Sequence, residues 1–336
     1  MDKPRKAFTS AKQVAELAGV SRSAVSRTFT PGASVSEETR KRVISASEKL
    51  GYHVNHLARG LLRQSSGIVC LVAADTDAPY MSRMIRTLVR SLQQAGKVAM
   101  VLESSGSSEN ADHALRQTLN YRADATVVLS GTPPQSLIRT CLDNGQRLIL
   151  INRDDQLSGP HNIALDNRAA ARTAFLTLYG AGCRRLALVN SEAGTPSLMA
   201  RERAFFECAD EQGIKVAVTR NGRTSYEAGV FGARRLFSAG ERPDGVFCVT
   251  DLLACGFMDA ARHEFGLAIP EELSVIGFDD IEQASWASYR LTTFSPDVTA
   301  LVERVVELAT QAGETGESHR DLIEVPLVAR DTVRQV

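Results

Sequence analysis

The chain has 336 residues, with 39 Lys and Arg against 39 Asp and Glu and a formal net charge of zero. That length allows two or three domains, and no apolar run is long enough to span a membrane and no tract is of low complexity. The neutral total hides an asymmetry. Residues 1–64 hold 12 Lys and Arg against 5 Asp and Glu, a net of +7, and the remainder carries −7. This is the charge pattern of a basic nucleic-acid-binding head on an acidic body, whose affinity for DNA should fall steeply with salt as counterions are released.

The first predicted element is a helix capped by Ser10, with Gln13 at the capping-box position. Val14, Leu17 and Ala18 form its expected apolar stripe, and Gly19 closes it. Ser21 then caps a second helix over 22–29, with Ala24, Val25 and Thr28 facing inward and Arg22, Ser23, Ser26 and Arg27 facing out. Pro31-Gly32 stops it. Two short helices around a glycine turn, the second bearing basic residues, make a helix-turn-helix that offers the start of its second helix to base edges. Arginine binds guanine bidentately and serine donates or accepts; a solvated arginine-bearing face is the competing reading.

A third helix follows, capped by Ser36 with Glu37 and Glu38 at its positive end. Val43, Ile44, Ala46 and Leu50 are its expected buried side, and Gly51 ends it. Asn55 is placed to cap a fourth, short helix over 56–63 with Leu57, Ala58, Leu61 and Leu62 apolar. Gly60 weakens that helix, which is too short to stand alone and so needs a surface to fold against. Leucines of such a segment can wedge into a minor groove; packing on the next domain is the plainer reading.

From Gly67 the pattern alternates apolar strands and amphipathic helices. Strands are predicted at 68–73, 98–102, 125–129, 148–151, 186–189, 216–218, 246–249 and 275–278. Helices are predicted at 81–95, 110–120, 169–179, 198–212, 225–238 and 252–265. Two doubly wound α/β subdomains with mostly parallel sheets follow from this alternation. Ligands of such sheets bind beyond the carboxyl ends of the strands, so the cleft between subdomains is the expected site. Its candidate residues are Tyr80, Ser130, Arg153, Arg201, Asp251 and Asp279. Each has a structural alternative as a cap or a salt bridge; for Asp251 that alternative is capping a helix that begins at Leu252. Arg153 and Arg201 would suit an acidic sugar or a phosphate as well as a neutral sugar.

Cys70, Cys141, Cys183, Cys208, Cys248 and Cys255 form no CxxC pair, and His53, His56, His113, His161, His263 and His319 show no metal-ligand spacing. The cysteines read as small core residues of a reduced protein, and the polar, basic first ten residues do not read as a signal peptide. A cytoplasmic location is expected. There is no GxGxxG at a strand–helix junction and no GxxxxGK[ST]. Asp279 and Asp280 are adjacent at a strand end and should point apart, which argues against paired acid–base carboxylates. Neither an enzymatic role nor a cofactor is expected.

The chain resembles the lac repressor (LacI) family of bacterial transcription regulators. The resemblance rests on Val14-Ala15, Ala18-Gly19-Val20-Ser21, Ala24-Val25-Ser26-Arg27, Val35-Ser36, Thr39-Arg40, Val43, Leu50-Gly51-Tyr52, Asn55 and Ala58-Arg59. It resumes at Ile276-Gly277-Phe278-Asp279-Asp280, Leu291-Thr292-Thr293 and Leu327-Val328-Ala329-Arg330, and so covers nearly the whole chain. It implies an N-terminal helix-turn-helix head with a hinge helix, followed by a periplasmic-binding-protein-like sensor. It places Arg22, Ser23 and Arg27 at the bases, Leu61 at the minor-groove lever and Asn55 at the start of the hinge; Ser10, Ser21, Ser26 and Ala58 complete the candidate DNA contacts. Arg201 and Asp279 match its ligand positions. The chain departs from the family at Val54, where a proline is usual, and at Gly60. It departs again at Ala78-Pro79-Tyr80-Met81, at Gly182-Cys183, at Thr250-Asp251 and at Arg290.

The expected organisation is a DNA-binding domain at 1–54, a hinge and linker at 55–66, and a sensor at 67–336 whose chain crosses between subdomains near 166 and 292. The expected function is a sequence-specific regulator, in the repressor sense, of a carbohydrate or related pathway. Its expected partners are a pseudo-palindromic DNA operator, a sugar, sugar acid or sugar phosphate, and a second copy of the chain; no heptad tail argues for a tetramer. The alternatives are a solute-binding protein without DNA function and a purine-type regulator that needs a corepressor.

Overall fold

A computed structural model describes residues 9–30, 32–54, 65–104, 108–130, 134–152, 159–240, 242–311 and 318–335. The chain divides into two compact units, 1–66 and 67–336. Asn55, Ala58, Leu61 and the expected hinge helix lie outside the described residues, as does Arg153.

The first unit holds α1 (Ala11–Ala18), α2 (Arg22–Thr28) and α3 (Glu37–Leu50). Its ends are built as the sequence predicts. Ser10 and Gln13 form the reciprocal capping box, Ser21 and Ser36 accept from backbone amides of their helices, and Gly19 and Gly51 take left-handed conformations after α1 and α3. Val14, Ala15, Ala18, Val25, Val43 and Ala46 make the core, with Phe29 and Tyr52 packed around it. Two expectations fail here. Leu17 is 53% exposed and Ile44 41% exposed. The buried stripe of α1 runs through 14, 15 and 18 instead, and that of α3 through 43, 46 and 47. Three short helices crossing tightly leave room for alanine and serine at these contacts, and the larger side chains one position away turn outward.

The second unit contains two six-stranded sheets. The first comprises β1 (Ile68–Ala73), β2 (Val98–Glu103), β3 (Ala125–Val128), β4 (Arg147–Ile151), β5 (His161–Leu165) and β11 (Arg320–Ile323), in the order β11-β5-β4-β3-β1-β2. Its helices are α4 (Pro79–Gln94), α5 (Ser108–Asn120), α6 (Gln135–Asp143) and α11 (Val298–Thr310). The second comprises β6 (Leu186–Asn190), β7 (Val216–Arg220), β8 (Gly245–Cys248), β9 (Ser274–Phe278), β10 (Thr292–Phe294) and β12 (Leu327–Val328), in the order β12-β10-β9-β8-β6-β7. Its helices are α7 (Asn167–Gly180), α8 (Pro196–Glu211), α9 (Tyr226–Ser238) and α10 (Asp251–His263), with a short 3-10 turn at Glu282–Ser285. Every described strand pairing is parallel except β10 with β12.

Strands β1, β3, β4, β6, β8 and β9 are buried on both faces, which is why they read as unbroken apolar runs. The chain passes between sheets three times: after β5, after β10, and from β11 to β12. The first follows Leu165 and the second follows Phe294. The third, at 324–326, is not apparent in the sequence, because β11 is a short, half-exposed edge strand and β12 has only two residues.

Helices α9 and α10 cross in near backbone contact. A Cβ on Gly256 would stand 1.9 Å from the carbonyl oxygen of Tyr226, and one on Gly229 would stand 2.1 Å from that of Leu253. Both neighbours are main chain and neither can swing away. Gly256→Ala is therefore expected to destabilise the sensor by at least roughly 1–3 kcal/mol through overpacking, read as a lowered denaturation midpoint; an unchanged midpoint would show that the helices can move apart.

Candidate effector site and DNA-facing surface

The exposed face of α2 carries Arg22, Ser23, Ser26 and Arg27, while Ala24, Val25 and Thr28 are buried beneath it. Ser21 Oγ accepts from Ala24 N at 3.2 Å and meets Ser23 Oγ at 2.8 Å, so the start of the helix is ordered before any ligand arrives. Arg40 Nη1 donates to Thr28 O at 2.9 Å and ties α3 to the end of α2. Ser10 is exposed at the start of α1.

In the sensor, Arg201 from α8 is 3% exposed. Its Nε donates to Asn167 Oδ1 at 2.8 Å and its Nη1 to Val249 O at 2.6 Å. The guanidinium lies 3.2 Å from the ring centroid of Phe278 and 3.9 Å from the carboxylate of Asp279. Burial lowers its pKa, opposed chiefly by Asp279. Asp279 follows β9 with φ of +114° and Asp280 has φ of +47°, two consecutive non-glycine residues in the left-handed region. The adjacent carboxylates diverge. Asp280 turns to Arg330 at 2.6 Å and Ser295 at 2.9 Å, whereas Asp279 stays by Arg201.

Asp251 does not cap a helix starting at Leu252. Helix α10 begins at Asp251 itself, and its cap is Thr250, whose Oγ1 accepts from Leu253 N. The Asp251 carboxylate is fully buried. It accepts from Thr293 Oγ1 at 2.5 Å and from Ile281 N at 3.0 Å. It joins the ends of β8, β9 and β10, and a Cβ on Gly277 would meet its Oδ1 at 2.1 Å. Ser130 Oγ accepts from Ala74 N and so links the ends of β3 and β1.

Tyr80 lies in the first turn of α4, with its hydroxyl buried and without a hydrogen-bond partner. Burial raises its phenol pKa, and Asp279 adds to the effect. The structure thus brings Tyr80, Arg201 and Asp279 together. It also brings in residues that the sequence reading did not single out. Arg83 of α4 donates from Nη2 to Asp279 O at 2.7 Å and from Nη1 to Asp280 O at 2.8 Å, reaching from one subdomain to the other. Its place one helical turn after Tyr80 was the available signal. Asn167 orients Arg201, and Arg223 pairs with Asp75 across the outer edge of the cleft.

Sequence profiles match in two parts: "Bacterial regulatory proteins, lacI family" over residues 10–55, and "Periplasmic binding protein-like domain" over 175–333. The chain is 28% identical over 304 residues to the HTH-type transcriptional regulator AscG of Escherichia coli (strain K12), covering 89% of this chain and 90% of that one. It is 29% identical over 302 residues to GalR of the same strain, covering 89% and 87%. The structure of the lac repressor dimer bound to operator and the anti-inducer ONPF superposes with a TM-score of 0.86 at 24% identity, over 98% of this chain and 100% of that one. A helix-turn-helix head on a two-sheet sensor, with such relatives, defines a DNA-binding transcription regulator and not an enzyme. Its head is a LacI-family DNA-binding domain and its sensor a periplasmic-binding-protein-like domain.

Burial pushes the carboxyl of Asp279 up to about 7 from its ordinary 3.8, against the opposing pull of Arg201. The folded chain therefore holds a proton that the unfolded chain has already lost between those values. The stability this contributes is present below the unfolded value and is lost as pH rises through about 7. Asp251 shifts in the same direction and to about 7, chiefly by burial. The melting temperature is expected to fall as pH rises through this window. Asp279→Asn, which cannot ionise, should fall less steeply, by the share that Asp279 contributes; parallel slopes would remove Asp279 from the account.

Proposed function

We propose that the chain binds a near-palindromic operator as a homodimer, and that a polyhydroxylated small molecule held at Arg201 and Asp279 controls that binding. The observation that carries the DNA half is the face of α2. Two arginines and two serines stand exposed on a helix whose other side is locked by Val25 and by the Ser21 cap. Arg22, Ser23 and Arg27 read bases, and Ser10, Ser21 and Ser26 contact phosphates or adjacent edges. Asn55, Ala58 and Leu61 form the hinge, with Leu61 as the minor-groove wedge. A homodimer matches the two halves of such an operator, and the lac repressor that shares this fold is a dimer on its operator.

The effector half rests on chemistry at the strand ends. A buried carboxylate that accepts no hydrogen bond from the described residues, beside a buried guanidinium, is suited to ring hydroxyls, which donate to one and accept from the other. Ser130 and Arg153 extend the site, and Asp251 supports it from behind. The effector shifts the population able to bind DNA by binding two sensor states unequally. The six cysteines are all free and buried, which suits a reducing cytoplasm where the DNA is. No described helix is long and apolar enough to cross a membrane.

Selection from random DNA with the full chain is expected to enrich a near-palindrome; enrichment of no sequence would overturn the DNA half. On the selected operator, Arg22→Ala should reduce discrimination at one symmetric base position by roughly 1–3 kcal/mol. Leu61→Ala should weaken operator binding more than binding to unrelated DNA, and equal losses on both would remove the wedge.

A further inference from the structure

Arg83 is the residue of the cleft whose chemistry is left incomplete. Its two terminal nitrogens are spent on the main-chain carbonyls of Asp279 and Asp280. Both acceptors are neutral, so no carboxylate among the described residues pairs with this cation. Its third nitrogen, Nε, carries an N–H that is buried and has no partner among the described residues. The guanidinium lies 5.7 Å from the ring centroid of Tyr80, whose hydroxyl is buried and unpartnered too. Arg201 repeats the pattern from the opposite subdomain: its Nε and Nη1 donate to an amide oxygen and a main-chain carbonyl, and the Asp279 carboxylate stands off at 3.9 Å.

The balance of donors, acceptors and charge is therefore lopsided. Asp279 is one carboxylate beside two guanidiniums, 3.9 Å from Arg201 and not paired with Arg83. Of the other buried acids, Glu202 pairs with Arg220, and Asp251 has one oxygen on the Thr293 hydroxyl and the other on the Ile281 amide. Arg83 is half-buried without a counter-charge, and its Nε–H is a buried donor left unmade; both are costly. A ligand that brings a charged acceptor to the Arg83–Tyr80 end relieves both. A neutral ring offers only hydroxyls there, which leave the charge uncompensated.

We propose that Arg83, with Tyr80, is the specificity-determining anion subsite of the sensor, and that the effector is an anionic polyol. Its carboxylate or phosphate is bound by Arg83 Nε–H and the Tyr80 hydroxyl, and its hydroxyls lie toward Arg201 and Asp279. This rests on the cleft being the effector site. It adds a residue that the sequence pattern did not mark and a charge requirement that Arg201 and Asp279 do not impose. Because Arg83 also holds the Asp279 and Asp280 carbonyls across the cleft, the anion engages the same side chain that joins the two subdomains.

The test uses the full chain and matched probes: glucose, galactose, mannose and ribose, each with its aldonic acid, its uronic acid and its terminal phosphate. Binding is read by fluorescence of Trp286, the only tryptophan, half-exposed just beyond the Asp279 turn, and by calorimetry. At least one acid or phosphate is expected to bind tenfold or more tightly than its neutral parent. The carboxylate and phosphate arms tell which anion is used. Arg83→Gln should abolish that preference, bringing anion and parent to similar affinity, while Arg83→Lys should restore part of it; circular dichroism and the melting temperature confirm that both variants fold. A neutral sugar binding as tightly as its anions, or a preference that survives in Arg83→Gln, overturns the anion subsite and leaves the cleft as a sugar site. Binding of no probe overturns both the subsite and the sugar-class effector reading.

Discussion

The sensor is organised around one buried guanidinium. Arg201 leaves α8 and ends among four different pieces of chain: Asn167 where the chain first crosses between sheets, the carbonyl of Val249 after β8, the ring of Phe278 at the end of β9, and Asp279 just beyond it. A charge buried this deeply persists only if its hydrogen bonds are met from several directions. Meeting them fixes the crossover, the ends of two strands and the start of the Asp279 turn in one arrangement. The apolar core sets the spacing of the sheets; Arg201 sets which strand ends face the cleft and how.

The Asp279–Asp280 turn shows what that arrangement must hold. Two successive non-glycine residues sit in left-handed conformations, a local cost that the surroundings have to offset. They do so from three sides. Arg330 and Ser295 take the Asp280 carboxylate, Asp251 takes the amide of Ile281, and Arg83 takes both carbonyls. The first three belong to the same subdomain as the turn. Arg83 belongs to the other, as does Asp75, which meets Arg223 at the outer edge. The turn that presents Asp279 is thus also where one subdomain grips the other, so a ligand that reaches Asp279 lies beside the contact that sets the angle between them.

Much of this is legible in the sequence, and what is not has physical reasons. The helix ends of the head follow from local rules, because caps at Ser10, Ser21 and Ser36 and the glycines at 19 and 51 depend on neighbours a few residues away. The central parallel strands are legible because burial on both faces leaves an apolar run. Strand order is not legible, and neither is the return through α11, β11 and β12, since it depends on where edge strands find a vacancy in two sheets at once. Leu17 and Ile44 mislead because helical periodicity marks an apolar side chain without saying which flank of a narrow stripe the partner helix covers. Arg201 and Asp279 stand out by resemblance. The role of Asp251 as a strand-end brace, rather than the cap that was its structural alternative, is hidden because its partners, Thr293 and Ile281, are 42 and 30 residues away. Arg83 is hidden for a similar reason: it is an arginine on an amphipathic helix, ordinary until its acceptors, 196 and 197 residues on, come into view.

These contacts constrain how regulation can work. An effector changes an equilibrium only by the difference in its affinity for the two states. Arg201 and Asp279 sit on one subdomain, Tyr80 and Arg83 on the other. A ligand that touched one pair alone would bind an open and a closed sensor about equally and shift nothing, however tightly it bound. A ligand that spans both pairs must favour the state in which they face each other, and part of its binding energy becomes energy of closure. Whether closure then releases DNA or secures it does not follow from these contacts, which all lie within the sensor. On the proposed reading the pocket therefore selects the molecule and the direction of the subdomain motion, and the proposed hinge at Asn55 and Leu61 sets the sign of the transcriptional response.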